Sequence, residues 1–482
     1  MHANLIGLTL VVLLSACAAG TVYQRPEVTL PAQWQFGIVD SLATPAPAAW
    51  WTRFGSAELE RLIETALENS RDLKAAASRI AQARALARLA GASLLPEVAV
   101  RADASRAKDI GDSKPSNTFS ADLIASFELD LWGKNREARQ AALSRFQSSA
   151  HAQQFAKVTL QAEVAIAYFQ VLSAHDRLAL ARSILSNVES LLRLLHVQFR
   201  VGAISTLEIE RQQGLLASVR ASIPPIELER QRALDALAIL LGQPPQGFSV
   251  PPGSLASIDL PSVAAGLPSE LLERRSDIRQ AEANLIAANA DINAARAAFF
   301  PSIRLTAAGG VASDALSSVL RSGSLVYALA AGLVAPIFNY ERLQGELDLA
   351  RTRQDELVHV YQQSILVALR EVADGLAAVQ RLAEQAEHQH QVIAHSQAAL
   401  RMAELRYRNG AVDFTTVLDA QRVLLAAQAA QEEITLSRYI AAIGLYRALG
   451  GGWEEPRKHP TAALATQLPQ WAHFNLNMRK PT

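Results

Sequence analysis

A turn motif occurs twice in this 482-residue chain, and its repetition constrains the fold more than any other feature. The first copy reads Phe199-Arg200-Val201-Gly202-Ala203-Ile204-Ser205 and the second Tyr407-Arg408-Asn409-Gly410-Ala411-Val412-Asp413, 208 residues later. Each copy lies between two long runs of helix-forming residues. Glycine closes a helix because it enters the left-handed conformation without a Cβ penalty. Ser205 and Asp413 then offer a side-chain oxygen to start the next helix. Leu241-Gly242 and Leu449-Gly450 keep the 208 offset, and Asp72-Leu73 and Asp277-Ile278 stand 205 apart. Length alone suggests about three domains, but a repeat with so little drift means two halves of one body.

Within each half the hydrophobic period changes from helix to strand and back. Residues 56–93 carry apolar positions at helical spacing and predict one helix ended by Pro96. Val98, Val100, Ala102 and Ala104 then alternate with charged or small residues, as do Phe119, Ala121, Leu123, Ala125, Phe127, Leu129 and Leu131. Ile303 to Val311 and Leu325 to Leu333 repeat this pattern. The result is two hairpins whose strands are as long as membrane strands, about 9–11 residues or more. Soluble hairpins packed on helices are the alternative. No proline occurs between Pro115 and Pro224, and Val164, Ala167, Val171, Ala174, Leu178, Ala181, Leu185, Val188, Leu192, Leu195 and Phe199 recur at alternating spacings of three and four. That is a coiled-coil seam. The same seam returns from Ala368 to Tyr407 with Gln389 and Ser396 as polar members. A helix from Lys134 to the turn would be roughly 95 Å long at about 1.5 Å per residue. Pro224-Pro225 is expected to interrupt the helix that returns from the first turn.

Lys+Arg and Asp+Glu are both 46, so a basic nucleic-acid surface is not expected. His388, His390 and His395 are spaced by two and five, which puts them on different helix faces rather than in a metal pair. No phosphate loop or nucleophile elbow appears, so neither cofactor, metal nor catalytic residue is assigned. Past the N-terminus no apolar run is long enough for a membrane helix. Leu5 to Leu14 is an apolar run ending in Ser15-Ala16-Cys17, the pattern of a secretory signal. It also resembles a bacterial lipobox, which implies cleavage before Cys17 and lipid on that residue. An ordinary signal peptide with an incidental cysteine is the other reading.

Tyr23-Gln24-Arg25-Pro26, Trp50-Trp51-Thr52-Arg53-Phe54, Ser126 to Gly133 and Gly266 to Ile278 complete the set of motifs. Together with the repeat, the hairpins and the lipobox they resemble TolC-type outer-membrane factors, in particular the NodT-like lipoprotein branch. The resemblance implies a mainly α fold with a small β part. Repeated long helical hairpins and four membrane strands per chain would form an α-barrel and a twelve-stranded β-barrel as a homotrimer. The domain boundaries expected are a signal peptide at 1–16, a lipidated tether at 17–50 and a first repeat at 51–242 with strands at about 96–108 and 117–131. A linker at 243–268, a second repeat at 269–450 with strands at about 301–312 and 323–335, and a tail at 451–482 follow. The implied function is passive export through the outer membrane, with a periplasmic adaptor, an inner-membrane pump of the RND type and outer-membrane lipid as partners. Ala18, where the family's inner-membrane retention signal has Asp, points to the outer membrane. The resemblance also implies a periplasmic gate at Tyr407, Asp419 and Glu208 beside the turn glycines Gly202 and Gly410. Thr416 stands where TolC itself has a second acid. Solvated turn residues are the plain alternative for that set. A structural or adaptor coiled-coil lipoprotein is the alternative function; it would have one helical hairpin, not two.

Overall fold

The computed structural model describes residues 20–36, 49–108, 115–321 and 323–451. The signal peptide, Cys17, part of the tether and the tail at 452–482 lie outside the described residues.

The chain opens with α1 (Ala57–Asn69) and α2 (Arg71–Ala92). The continuous helix expected over 56–93 is therefore two. Ser70 breaks it: its ψ of 124° is extended, its amide donates to the Ala66 carbonyl and its hydroxyl accepts from the Leu73 amide. A serine that closes one helix and caps the next competes with the helical ladder. Strands β1 (Glu97–Ala107) and β2 (Ser116–Leu129) follow, then α3 (Lys134–Arg200) and α4 (Thr206–Leu240). The second half repeats this order as α5 (Ser276–Ala297), β3 (Ser302–Ser313), β4 (Leu325–Val334), α6 (Tyr340–Arg408) and α7 (Phe414–Ala448).

Helix α3 has 67 residues and α6 has 69, each about 100 Å at about 1.5 Å per residue. The α3 seam from Val164 to Ala181 is buried, as are Val188 and Leu195. The shorter helices pair with the long ones end to end. In one half of the molecule the packing order is α2, α3, α5, α6; in the other it is α4, α3, α7, α6. The end of α4 abuts the break between α1 and α2, where a Cβ on Gly242 would lie 2.8 Å from the Asn69 carbonyl oxygen. The end of α7 meets the start of α5 in the same way, Gly450 against the Arg274 carbonyl. Helix α4 runs unbroken through Pro224-Pro225, contrary to the expected interruption. Its continuous packing along α3 outweighs the local cost of proline, since most helical stability in proteins is tertiary.

The four strands form one antiparallel sheet in the order β1-β2-β3-β4. At its base Trp132 stacks on Phe300, 4.8 Å between centroids, and its indole donates to the Pro301 carbonyl. Asp130 accepts from the amides of Asn135 and Arg136, which starts α3 directly below the sheet. Both halves close on one aromatic core, where Trp50 stacks on Tyr446 at 5.1 Å and Phe54 meets Phe169.

The expected tether is not free where it is described. Residues 20–36 lie antiparallel along α5 as an extended strap. Thr21 bonds through its backbone to Asn289 and Asn293, Arg25 makes a two-pronged pair with Glu282, and the Trp34 indole donates to the Gly266 carbonyl. Tyr23, Val28, Leu30, Trp34 and Phe36 cover the second core around Ile278, Tyr361 and Val372.

Candidate functional site

Strand register decides what the sheet can face. Val98 pairs with Ala125 and that with Ala307 and Leu329; Val100 pairs with Leu123, then Gly309 and Tyr327. Phe127, Leu305, Ile303 and Leu333 join the same face. Side chains alternate along a strand, so one face is apolar across all four strands. Arg101 and Asp122 are paired on the other face, with Asp103 bridged to Arg101 at 2.5 Å and Glu128 beside Arg304 at 3.8 Å. The outer edges of β1 and β4 are unpaired among the described residues. A sheet with one apolar face and unpaired edges can enter lipid only when closed into a barrel.

At the other end of the long helices the two turns are built alike. Gly202 and Gly410 take φ of 73° and 68°. Their amides donate to Phe199 and Tyr407, and the next amides, Ala203 and Ala411, to Gln198 and Arg406. Ser205 and Glu208 form a capping box, in which Glu208 accepts from the Ser205 amide at 3.0 Å and from its hydroxyl. That hydroxyl is the main cause holding the Glu208 carboxyl below its usual range. Asp413 accepts from the Thr416 amide. Tyr407 is half-buried against Phe414, 5.3 Å between rings, and burial, then the Glu208 charge, push its hydroxyl pKa up. Glu208 and Tyr407 therefore come from different halves into one electrostatic neighbourhood. Asp419 is separate: it is exposed, and its ion partner is Arg422 on the same helix at 4.0 Å.

Sequence reasoning missed the contact that joins the turns, Arg211 of α4 donating to the Thr415 hydroxyl of α7. Nothing in the local sequence marks a pair 204 residues apart. It also missed the buried Arg275, whose side chain is 4% exposed between Asp277 and Glu371 and which donates to the Ala448 carbonyl. His388, His390 and His395 are all exposed on α6.

The chain matches the model of the outer membrane efflux protein family twice, over residues 62–243 and 267–451. It is 38% identical over 466 residues to the pyoverdine export outer membrane protein OpmQ of Pseudomonas aeruginosa, covering 94% of this chain and 98% of that one. It is 36% identical over 446 residues to the cation efflux system protein CusC of Escherichia coli, covering 91% and 97%. Among solved structures it superposes on CusC with a TM-score of 0.83 at 34% identity, over 90% of this chain and 99% of that one. The open state of the Neisseria gonorrhoeae MtrE outer membrane channel gives 0.81 at 32% identity, over 90% and 98%.

Proposed function

The chain belongs to the outer membrane efflux protein family, and from that premise we propose how its geometry exports a cargo. It is an outer-membrane channel of a tripartite efflux system, a passive conduit for small molecules. Members of the family form trimers that work with an adaptor and an inner-membrane pump. The observation that carries the reading is the four-strand sheet, apolar on one face and unpaired at β1 and β4, set on helices about 100 Å long. About eight strands are the working minimum for a barrel. Three copies supply twelve, with β4 of each pairing with β1 of the next. Exposed apolar residues support the same ring. Leu86 and Leu89 on α2 and Ile239 on α4 lie along one flank, and Leu349, Val360 and Leu366 on α6 along the other. With the sheet closed, Arg101, Asp103, Asp122 and Glu128 line water and Val100, Leu123 and Tyr327 meet lipid.

The partners are read as a periplasmic adaptor and a pump of the RND type, and the protein as anchored in the outer membrane by lipid on Cys17. No catalytic step is assigned to any residue. Relatives named for pyoverdine, for cations and for toluene are all 36–39% identical to this chain. Such similar distances to differently named cargoes support a reading in which the pump, rather than this channel, selects the cargo. Isolation of a heat-resistant trimer from outer membranes tests the architecture; a monomer in the soluble periplasmic fraction overturns it.

At the tip, Tyr407, Glu208 and Asp419 are read as parts of the resting closure. Three-fold repetition multiplies contacts that are each worth only about 1 kcal/mol near a surface. The expected outcome is that Tyr407→Phe combined with Asp419→Ala raises single-channel conductance and admits large antibiotics. Conductance equal to wild type at every salt concentration removes these residues from the gate.

A further inference from the structure

The internal repeat sets one polar junction beside its own counterpart. In the second half Arg275 fills the junction. Its guanidinium donates twice to Asp277, at 3.0 and 2.6 Å, once to Glu371 at 2.7 Å and once to the Ala448 carbonyl at 2.8 Å. The repeat offsets of 205 and 208 carry these four positions to Ser70, Asp72, Glu163 and Leu240. The first half therefore keeps both acids and the carbonyl at the helix end, and replaces the arginine by serine. The backbone is not the cause, since Ser70 and Arg275 have ψ of 124° and 122°.

All four counterparts line one cavity of about 630 Å³ between α2, α3 and α4. Asp72 and Glu163 are exposed, and neither has an ion pair among the described residues. The Leu240 carbonyl at the end of α4 is an orphan acceptor, because Pro244, four residues on, has no N–H to offer it. On the same wall the Thr159 hydroxyl is buried without a hydrogen-bond partner among the described residues. Buried polar atoms ordinarily have one. Arg71 also lines the cavity, but it is exposed and pairs with neither acid. Two acids against one base leave the wall net negative.

We propose that this cavity is a binding seat for a small molecule carrying a guanidinium group, held by Asp72 and Glu163 as Asp277 and Glu371 hold Arg275. The planar fork of N–H donors that suits Arg275 to a carboxylate suits a free guanidinium equally. The Leu240 carbonyl and the Thr159 hydroxyl supply the further acceptors. The cavity is far larger than one guanidinium, and Phe155 on its wall leaves room for an apolar arm of the ligand. The seat goes beyond the channel reading and does not depend on it, because binding is measured without conduction.

The test uses the purified full-length protein in detergent at low ionic strength. Methylguanidinium is the probe, and tetramethylammonium is a control of equal charge that has no N–H donor. Saturation-transfer NMR reads the binding of each. Methylguanidinium is expected to bind the more tightly, and Asp72→Asn and Glu163→Gln each to weaken it about tenfold, as loss of a hydrogen bond to a charged group would. Arg71→Ala removes the opposing cation and is expected to tighten binding. Ser70→Arg installs the arginine of the second half in the first and is expected to abolish binding in a protein that still folds. Equal binding of the two cations to wild type, or none, overturns the seat. So does methylguanidinium binding that is unchanged in Ser70→Arg or in Asp72→Asn with Glu163→Gln. Binding that appears only in Arg71→Ala also overturns it, and assigns the two acids to the chain's own Arg71.

Discussion

Arg275 shows how one side chain joins the halves of the chain. It is buried at the point where α7 ends and α5 begins, and it satisfies Asp277, Glu371 and the carbonyl of Ala448 together. Removing one member of a buried charge network leaves the others unpaired, at a cost of about 3–5 kcal/mol. Arg275→Ala should therefore lower trimer stability to urea by that order, and Glu371→Gln should cost less because Asp277 remains. Equal stability of Arg275→Ala and wild type would remove the network from the fold's supports. His151 on α3 makes a pH statement. Burial first, and the neighbouring Arg279 second, depress its pKa from 6.5 to about 4, against the opposing pull of Glu282. Between those values the unfolded chain binds the proton that the folded chain refuses. Stability is therefore complete above pH 6.5 and falls as pH drops towards 4. The midpoint of thermal unfolding should fall between pH 7 and pH 5 in wild type, and fall less in His151→Gln.

At the scale of elements the sheet gives the sharpest contrast. Leu123 and Asp122 are neighbours in β2 on opposite faces, and register carries each into a row across the sheet. Arginine on a lipid face costs about 2–4 kcal/mol at mid-membrane depth. Leu123→Arg is expected to abolish recovery from outer membranes, whereas Asp122→Arg is recovered at wild-type levels; equal recovery of both would mean that the sheet does not face lipid. These rows were legible in the sequence because period two is a strong signal over ten or more residues. So were α3 and α6, whose seams hold their period for ten positions or more. The break at Ser70 was not legible, since a single serine between helical runs does not show whether it caps or stays inside. Nor was the passage of α4 through Pro224-Pro225, because packing against α3 decides it rather than local propensity. The strap over residues 20–36 falls within the expected tether, but its docking depends on Asn289, Asn293 and Glu282, more than 250 residues away. At the tip each turn could be read alone. The approach of Glu208 to Tyr407 and of Arg211 to Thr415 could not, because it follows from how two distant hairpins lie side by side.

At the scale of the whole molecule the strap and the sheet bear together on how the protein is held in its membrane. Thr21 is fixed by Asn289, Asn293 and Arg296, at the end of α5 that leads into β3. Thr21 stands four positions after Cys17, a span of at most about 14 Å. Thr21 itself stands at the level where the helices meet the sheet, near the Trp132–Phe300 stack. A single acyl chain binds membranes only marginally, and stable anchoring takes more than one signal. The barrel is the stronger of the two attachments here, because its apolar face spans all four strands of each copy. If Cys17 is lipidated as proposed, the lipid would add to residence in the membrane, while insertion itself belongs to the strands. Cys17→Ser should abolish labelling by radioactive palmitate and lower, without eliminating, the amount of trimer in outer membranes. Asn293→Ala should keep the label but expose residues 20–36 to limited proteolysis. Palmitate labelling that persists in Cys17→Ser would refute the lipidation of this residue, and complete loss of the trimer from the membrane would show that the anchor, rather than the sheet, commits the chain to insertion.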